Sequence, residues 1–153
     1  MKEIIDLLKE HDFFKEMPPK LVDDIAECGE KKSYKSGENL DREGDPADYM
    51  YIIRSGRIAV QLHHPTKGDL TIMTLNSGDL AGFSWIIPPY RMQFDLKALE
   101  KTSVIEFDAK CLRDKCEKDY HLGYLLMQRS AAEMEKRLHS TRIQLLDVYG
   151  TTN

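Results

Sequence analysis

The stretch Tyr34–Val60, "YKSGENLDREGDPADYMYIIRSGRIAV", decides the fold. Turn signals stand in it at Ser36-Gly37, Gly44-Asp45 and Ser55-Gly56, and continue beyond it at Lys67-Gly68-Asp69 and Ser77-Gly78-Asp79. Gly44, Gly56, Gly68 and Gly78 follow one another at twelve, twelve and ten residues, the spacing of an all-β sandwich or barrel. Between turns, "YMYIIRSG" is dense in apolar residues, as in a strand buried on both faces. Ile58-Ala59-Val60-Gln61-Leu62 reads instead as a strand with every second residue inward. Farther along, Met92, Phe94, Leu96 and Ala98 alternate through Met92–Leu99, and "SVIEF" at 103–107 closes the set of strands.

Helical patterns flank this region. Ile4, Leu7 and Leu8 have helical spacing before Phe13 and Phe14, and Pro18-Pro19 interrupts the helix because proline removes a donor and restrains the residue before it. Leu21, Ile25 and Cys28 then predict a second short helix that Gly29 can cap. After Asp108 the chain is helical again. Within 121–149, Met127, Ala131, Met134, Leu138, Thr141, Leu145 and Val148 are spaced four, three, four, three, four, three. That heptad seam favours a helix paired with its copy in a second subunit; the alternative is an amphipathic helix lying on its own barrel. A parallel pair would bring Arg137 near the partner copy's Arg142, a mild repulsion. The expectation is one domain over 1–153: a helical lead-in at 1–32, a jelly roll at 33–108 and helices at 109–149.

Composition narrows the function classes. An apolar share of 41% and a charged share of 31% suit a folded domain. The net charge of -4, with both signs mixed, lacks the basic face of a phosphate-tracking nucleic-acid binder. No helix-turn-helix follows Val148, so direct reading of DNA is not expected. The acids in "MKEIIDLLKEHDFF" argue against a signal peptide. No apolar run reaches the roughly 20 residues of a membrane helix, so a cytoplasmic chain without membrane contact is expected. Cys28, Cys111 and Cys116 are odd in number; Cys111 and Cys116 would occupy different faces of a helix, so zinc is disfavoured and reduced thiols are expected.

The helical lead-in "LLKEHDFFKEMPP", the stretch 34–60, "LNSGDLAG" at 75–82 and the long closing helix together resemble the cyclic-nucleotide-binding domain, the sensor of catabolite-activator proteins, cyclic-nucleotide-gated channels and kinase regulatory subunits. The likeness runs from about Ile4 to Val148. It implies a mainly β fold with flanking helices: a cupin-like double-stranded β-helix jelly roll. It also implies a regulatory role without catalysis, and a cyclic nucleotide (cyclic AMP or cyclic GMP) or another anionic ligand. In that family a glycine-rich turn and short helix present free N–H groups to a phosphate; here the turn is Gly82, Phe83, Ser84 and Trp85. The family's ribose-reading glutamate falls at Phe83, its phosphate-neutralising arginine at Met92, and a small residue at Phe94. Arg91 stands one residue early. A strand would turn it away from the pocket, whereas a bulge at Pro88-Pro89 would turn it in.

The predicted site is thus Gly82, Phe83, Ser84, Trp85, Arg91, Met92 and Phe94, an anion cradle stripped of its sugar and charge readers, with altered specificity. Trp85 suits the core better than stacking on a base. The expected output is a homodimer through the seam, signalling to a partner protein. The alternative is a ligand-free interaction module whose pocket is filled by Phe83, Met92 and Phe94. His63-His64 would point to opposite faces of a strand and cannot chelate one ion, and no Gly-x-Ser-x-Gly elbow is present.

Overall fold

A computed structural model describes residues 3–150. The chain begins with α1 (Ile4–Glu10), a 3₁₀ turn (Asp12–Phe14) and α2 (Pro19–Ala26). Eight strands follow: β1 (Gly29–Tyr34), β2 (Asn39–Asp41), β3 (Tyr49–Ser55), β4 (Ile58–His64), β5 (Gly68–Leu75), β6 (Leu80–Ala81), β7 (Asp95–Ala98) and β8 (Thr102–Asp108). A second 3₁₀ turn, Ser84–Ile86, lies between β6 and β7. The chain ends in α3 (Ala109–Lys118) and α4 (Tyr120–Gly150). The strands form two antiparallel four-stranded sheets, ordered β1-β8-β3-β6 and β2-β7-β4-β5. Helices at both ends complete the mainly β jelly roll that the family resemblance implied.

The core lies between the sheets. Met50, Tyr51, Ile52 and Ile53 of β3 are all buried, because β3 packs on the sandwich interior with one face and on the helices with the other. The alternation in β4 fails, however. Ile58, Ala59 and Val60 are all buried and Leu62 is exposed. β4 runs in unbroken register against β7; toward β5, Val60 pairs with Met73 but Gln61 with Thr71, so Ile72 is an extra residue of β5 and shifts the facing of that strand. The alternation after Met92 does hold, with Met92, Leu96 and Ala98 buried, although regular pairing starts only at Asp95.

The lead-in departs from the predicted boundaries, while the closing helices fall where they were expected. α2 stops at Ala26, and Gly29 opens β1 instead of capping a helix; a Cβ there would meet the Phe107 ring at 3.1 Å. The closing helix is broken at Asp119, whose carboxylate accepts from the amides of His121 (3.0 Å) and Leu122 (3.3 Å) and so starts α4 afresh. Asp108 caps α3 in the same way through the Cys111 amide, 2.8 Å.

The expectation of reduced thiols is corrected. Cys28 and Cys111 are disulfide-bonded across a separation of 83 residues. The cause is sheet register: Gly29 pairs with Phe107, the Asp108 amide donates to the Cys28 carbonyl (2.9 Å), and the first turn of α3 then brings Cys111 over Cys28. Cys116 is free, and burial, with Glu117 and Asp119, pushes its thiol pKa up.

His11 ties the lead-in to the barrel. Its Nδ1 accepts from the Phe13 amide at 3.1 Å, and its Nε2–H donates to the Gly78 carbonyl at 2.6 Å. Among the described residues no helix is long and apolar enough to cross a membrane.

Candidate functional site

The segment after β6 turns sharply at Gly82, whose φ of 82° is a left-handed value and where an added Cβ would lie 3.1 Å from the Tyr49 carbonyl. Only glycine fits there without strain. The helix that follows is a single 3₁₀ turn, in which the Ile86 and Ile87 amides donate to the Phe83 and Ser84 carbonyls, both at 3.3 Å. One such turn has little dipole to offer an anion compared with a full helix.

Apart from Gly82, the predicted site residues divide into three groups. Phe83, Ser84 and Phe94 line a cavity of about 330 Å³, near the lower end of small-ligand pockets (about 300–1,000 Å³). Trp85 and Met92 are fully buried in the core. Arg91 is exposed and does not line the cavity. Its direction follows from the backbone: the Met92 amide donates to the Asp45 carbonyl, the Gly44 amide to the Met92 carbonyl and the Ala47 amide to the Tyr90 carbonyl, each at 2.8 Å. Pro46 and Arg91 form the corresponding bridge. On this extended pairing Met92 takes the inward position, and its neighbour takes the outward one.

α3 holds the segment in place. Arg113 donates to the Trp85 carbonyl at 2.8 Å, and its guanidinium lies 4.3 Å from the centre of the Tyr90 ring.

The cavity has a wall that the sequence reading did not assign. β4 and β5 contribute Val60, Ile72 and Met73, and Gln93 and Ile87 come from the loops. Met134 and Arg137 of α4 close it. Among the described residues Arg137 is the one charged member of the lining. Its guanidinium sits 4.7 Å from the centre of the Phe83 ring and donates to the Leu80 carbonyl. Burial lowers its pKa from the ordinary arginine value, while Asp79 and Glu133 act in the opposite direction. Those two acids are engaged elsewhere: Glu133 with Lys136 at 3.4 Å, and Asp79 with the Asn76 amide at 2.7 Å.

A signal for Arg137 existed in the sequence. Leu122, Leu126, Ser130 and Arg137 recur on one stripe of α4, and the first three are fully buried against the barrel. The heptad seam lies roughly 90° around the same helix. Met127, Ala131, Leu138, Thr141, Leu145 and Val148 are exposed along it. Met134 is half-buried and turned to the cavity. All residues from Leu138 to Gly150 are exposed, so the last three turns and more of α4 project beyond the barrel.

His63 and His64 stand on the β4–β5 hairpin. His63 meets Asp69 at 3.2 Å, and His64 Nδ1 accepts from the Thr66 and Lys67 amides at 3.1 Å. Among the described residues no cluster of three or more His, Cys, Asp or Glu is placed to hold a metal ion.

The jelly roll, the Gly82 turn and the helix laid across them define the class of fold. Comparison with known proteins agrees: the family model for the cyclic nucleotide-binding domain matches residues 31–119. The chain belongs to the cyclic nucleotide-binding domain family. A Geobacter metallireducens GS-15 structure, provisionally named a cyclic nucleotide-binding protein, is 26% identical with a TM-score of 0.81, covering 91% of this chain and 100% of that one. A cyclic nucleotide-binding domain from Methylobacillus flagellatus KT shares the fold at 21% identity and a TM-score of 0.79, covering 95% of this chain and 82% of that one. Human cGMP-dependent protein kinase 2 is 29% identical over 59 residues, which is 39% of this chain and 8% of the kinase.

Proposed function

We propose that this chain is a regulatory, non-catalytic sensor module. It holds a small anionic ligand beneath α4 and passes its occupancy to a partner protein through a homodimer formed on the exposed seam of α4. The observation that carries the reading is the makeup of the cavity: barrel, Gly82 segment and α4 each supply a wall, so filling it bears directly on the helix. Cyclic AMP and cyclic GMP are weak ligands in this reading, because Phe83 offers no acceptor to a ribose hydroxyl and Arg91 lies outside. The regulatory domain of Toxoplasma gondii PKA, solved with cAMP, has the same fold at a TM-score of 0.70. Family membership therefore supports sensing, while the lining supports a changed specificity.

A second reading is favoured by the complete burial of Met92 and the stacking of Phe83 under Arg137: a ligand-free interaction module. Thermal unfolding against a panel of small anions separates the two, since a ligand that binds only the native state raises its melting temperature. The sensor reading requires at least one anion to do so. For the dimer, the substitutions Leu138→Lys and Leu145→Lys leave the cavity untouched and are expected to halve the mass by light scattering. An unchanged mass rejects the seam.

A further inference from the structure

The charge that answers a ligand in this cavity comes from the closing helix, and everything else in the lining that could meet the ligand's body is apolar or neutral. We propose that the cavity takes a small monoanion with an apolar body, of the alkyl- or aryl-carboxylate class, and that Arg137 holds its head group. This rests on the reading of the cavity as a ligand site.

The lining selects the body of the ligand. A sugar placed against Phe83, Phe94 and Met73 would leave its hydroxyls unpaired, which is costly away from water. An alkyl chain or aromatic ring buries there without that loss. The charge selects the head group. One guanidinium balances one negative charge, and a second charge on the ligand would have no counterpart in the lining. Ser84 and Gln93 line the same cavity; the Gln93 amide nitrogen already donates to the Arg91 carbonyl at 3.3 Å, which leaves its second N–H and the Ser84 hydroxyl as neutral donors for the other oxygen of a carboxylate.

Arg137 is available for the task. Among the described residues its side chain makes one hydrogen bond, to the neutral Leu80 carbonyl, although a guanidinium carries five N–H donors. A carboxylate is the stronger acceptor and matches the guanidinium's paired geometry. Its position over the Phe83 ring, 4.7 Å from the centre, holds the guanidinium at the cavity wall. Leu80 belongs to β6 and Arg137 to α4, so capturing an anion trades a helix-to-barrel bond for a helix-to-ligand bond. Occupancy is then read on the helix that also carries the exposed seam.

The experiment is calorimetric titration and thermal unfolding of the full chain with octanoate, octanol and cyclic AMP, on wild type, Arg137→Gln and Arg137→Lys. Octanoate is expected to bind wild type and raise its melting temperature. Arg137→Gln is expected to weaken octanoate by roughly ten- to hundredfold, the contribution of a charge-assisted contact, with Arg137→Lys in between and octanol equal on all three. Arg137→Lys keeps the test valid should Arg137→Gln not fold. Octanoate binding equally well to wild type and variants, or octanol binding wild type as tightly as octanoate, overturns the proposal. If octanoate fails and cyclic AMP or another anion raises the melting temperature, this inference falls and the sensor reading stands. If no anion does, both fall.

Discussion

Asp41 gives the sharpest quantitative prediction. It sits in β2 with 8% of its surface exposed, and its Oδ2 has no hydrogen-bond partner among the described residues. Burial pushes its carboxyl pKa up to about 7, Asp45, Asp48 and Glu106 add to the rise, and the Tyr51 hydroxyl pulls the other way. In the unfolded chain the same carboxyl ionises near its ordinary value of about 3.9. The folded state therefore keeps a proton that the unfolded state releases, and the stabilisation is complete below about pH 4 and is lost as pH rises through about 7. About three pKa units at 1.36 kcal/mol each make up to about 4 kcal/mol. Asp41→Asn keeps the shape and removes the ionisation. Urea unfolding followed by Trp85, the sole tryptophan and fully buried, measures the difference between the two proteins from pH 4.5 to 8.5. The variant is expected to gain on wild type steadily as pH rises, by several kcal/mol at pH 8. A difference that is flat in pH, or that shrinks as pH rises, refutes the reasoning.

Three further outcomes are expected. Gly82→Ala forces a left-handed backbone value on an L side chain and presses a Cβ on the Tyr49 carbonyl, so it should lower the unfolding free energy by about 1–3 kcal/mol in urea titration; no change would mean that the turn relaxes freely. Reducing the Cys28–Cys111 bond opens an 83-residue loop and should lower stability by up to about 4.5 kcal/mol on the chain-entropy scale; an unmoved urea midpoint with all three thiols titrating would contradict it. Arg113→Ala removes the bond to the Trp85 carbonyl and the contact with Tyr90, and should destabilise by about 1–3 kcal/mol, checked by the same unfolding curve.

The barrel was legible because its punctuation is local. Gly44, Gly56, Gly68 and Gly78 all take left-handed φ values, so the turn spacing reports the backbone directly. What depends on register was not legible. The bulge at Ile72 of β5 comes from that strand's pairing with β4. The disulfide comes from Gly29 meeting Phe107 across 78 positions that no spacing rule links. At the site, Gly82 could be placed from its turn, and the outward course of Arg91 follows once residues 44–47 are known to pair with 90–92. Arg137 was visible only as a helix flank, because its importance depends on where α4 crosses the barrel. The burial of Asp41 likewise depends on register, because it comes with the pairing of β2 against β7 at Leu96.

We propose that the nucleotide-reading contacts of this fold are absent from this chain, because Met92 occupies the inward position and Arg91 the outward one. An arginine–phosphate contact contributes about 1.5–3 kcal/mol, or ten- to hundredfold in affinity. Calorimetric titration of the wild-type chain with cyclic AMP tests this most directly. The account predicts no binding in the micromolar range; micromolar binding that Arg91→Ala abolishes would contradict it.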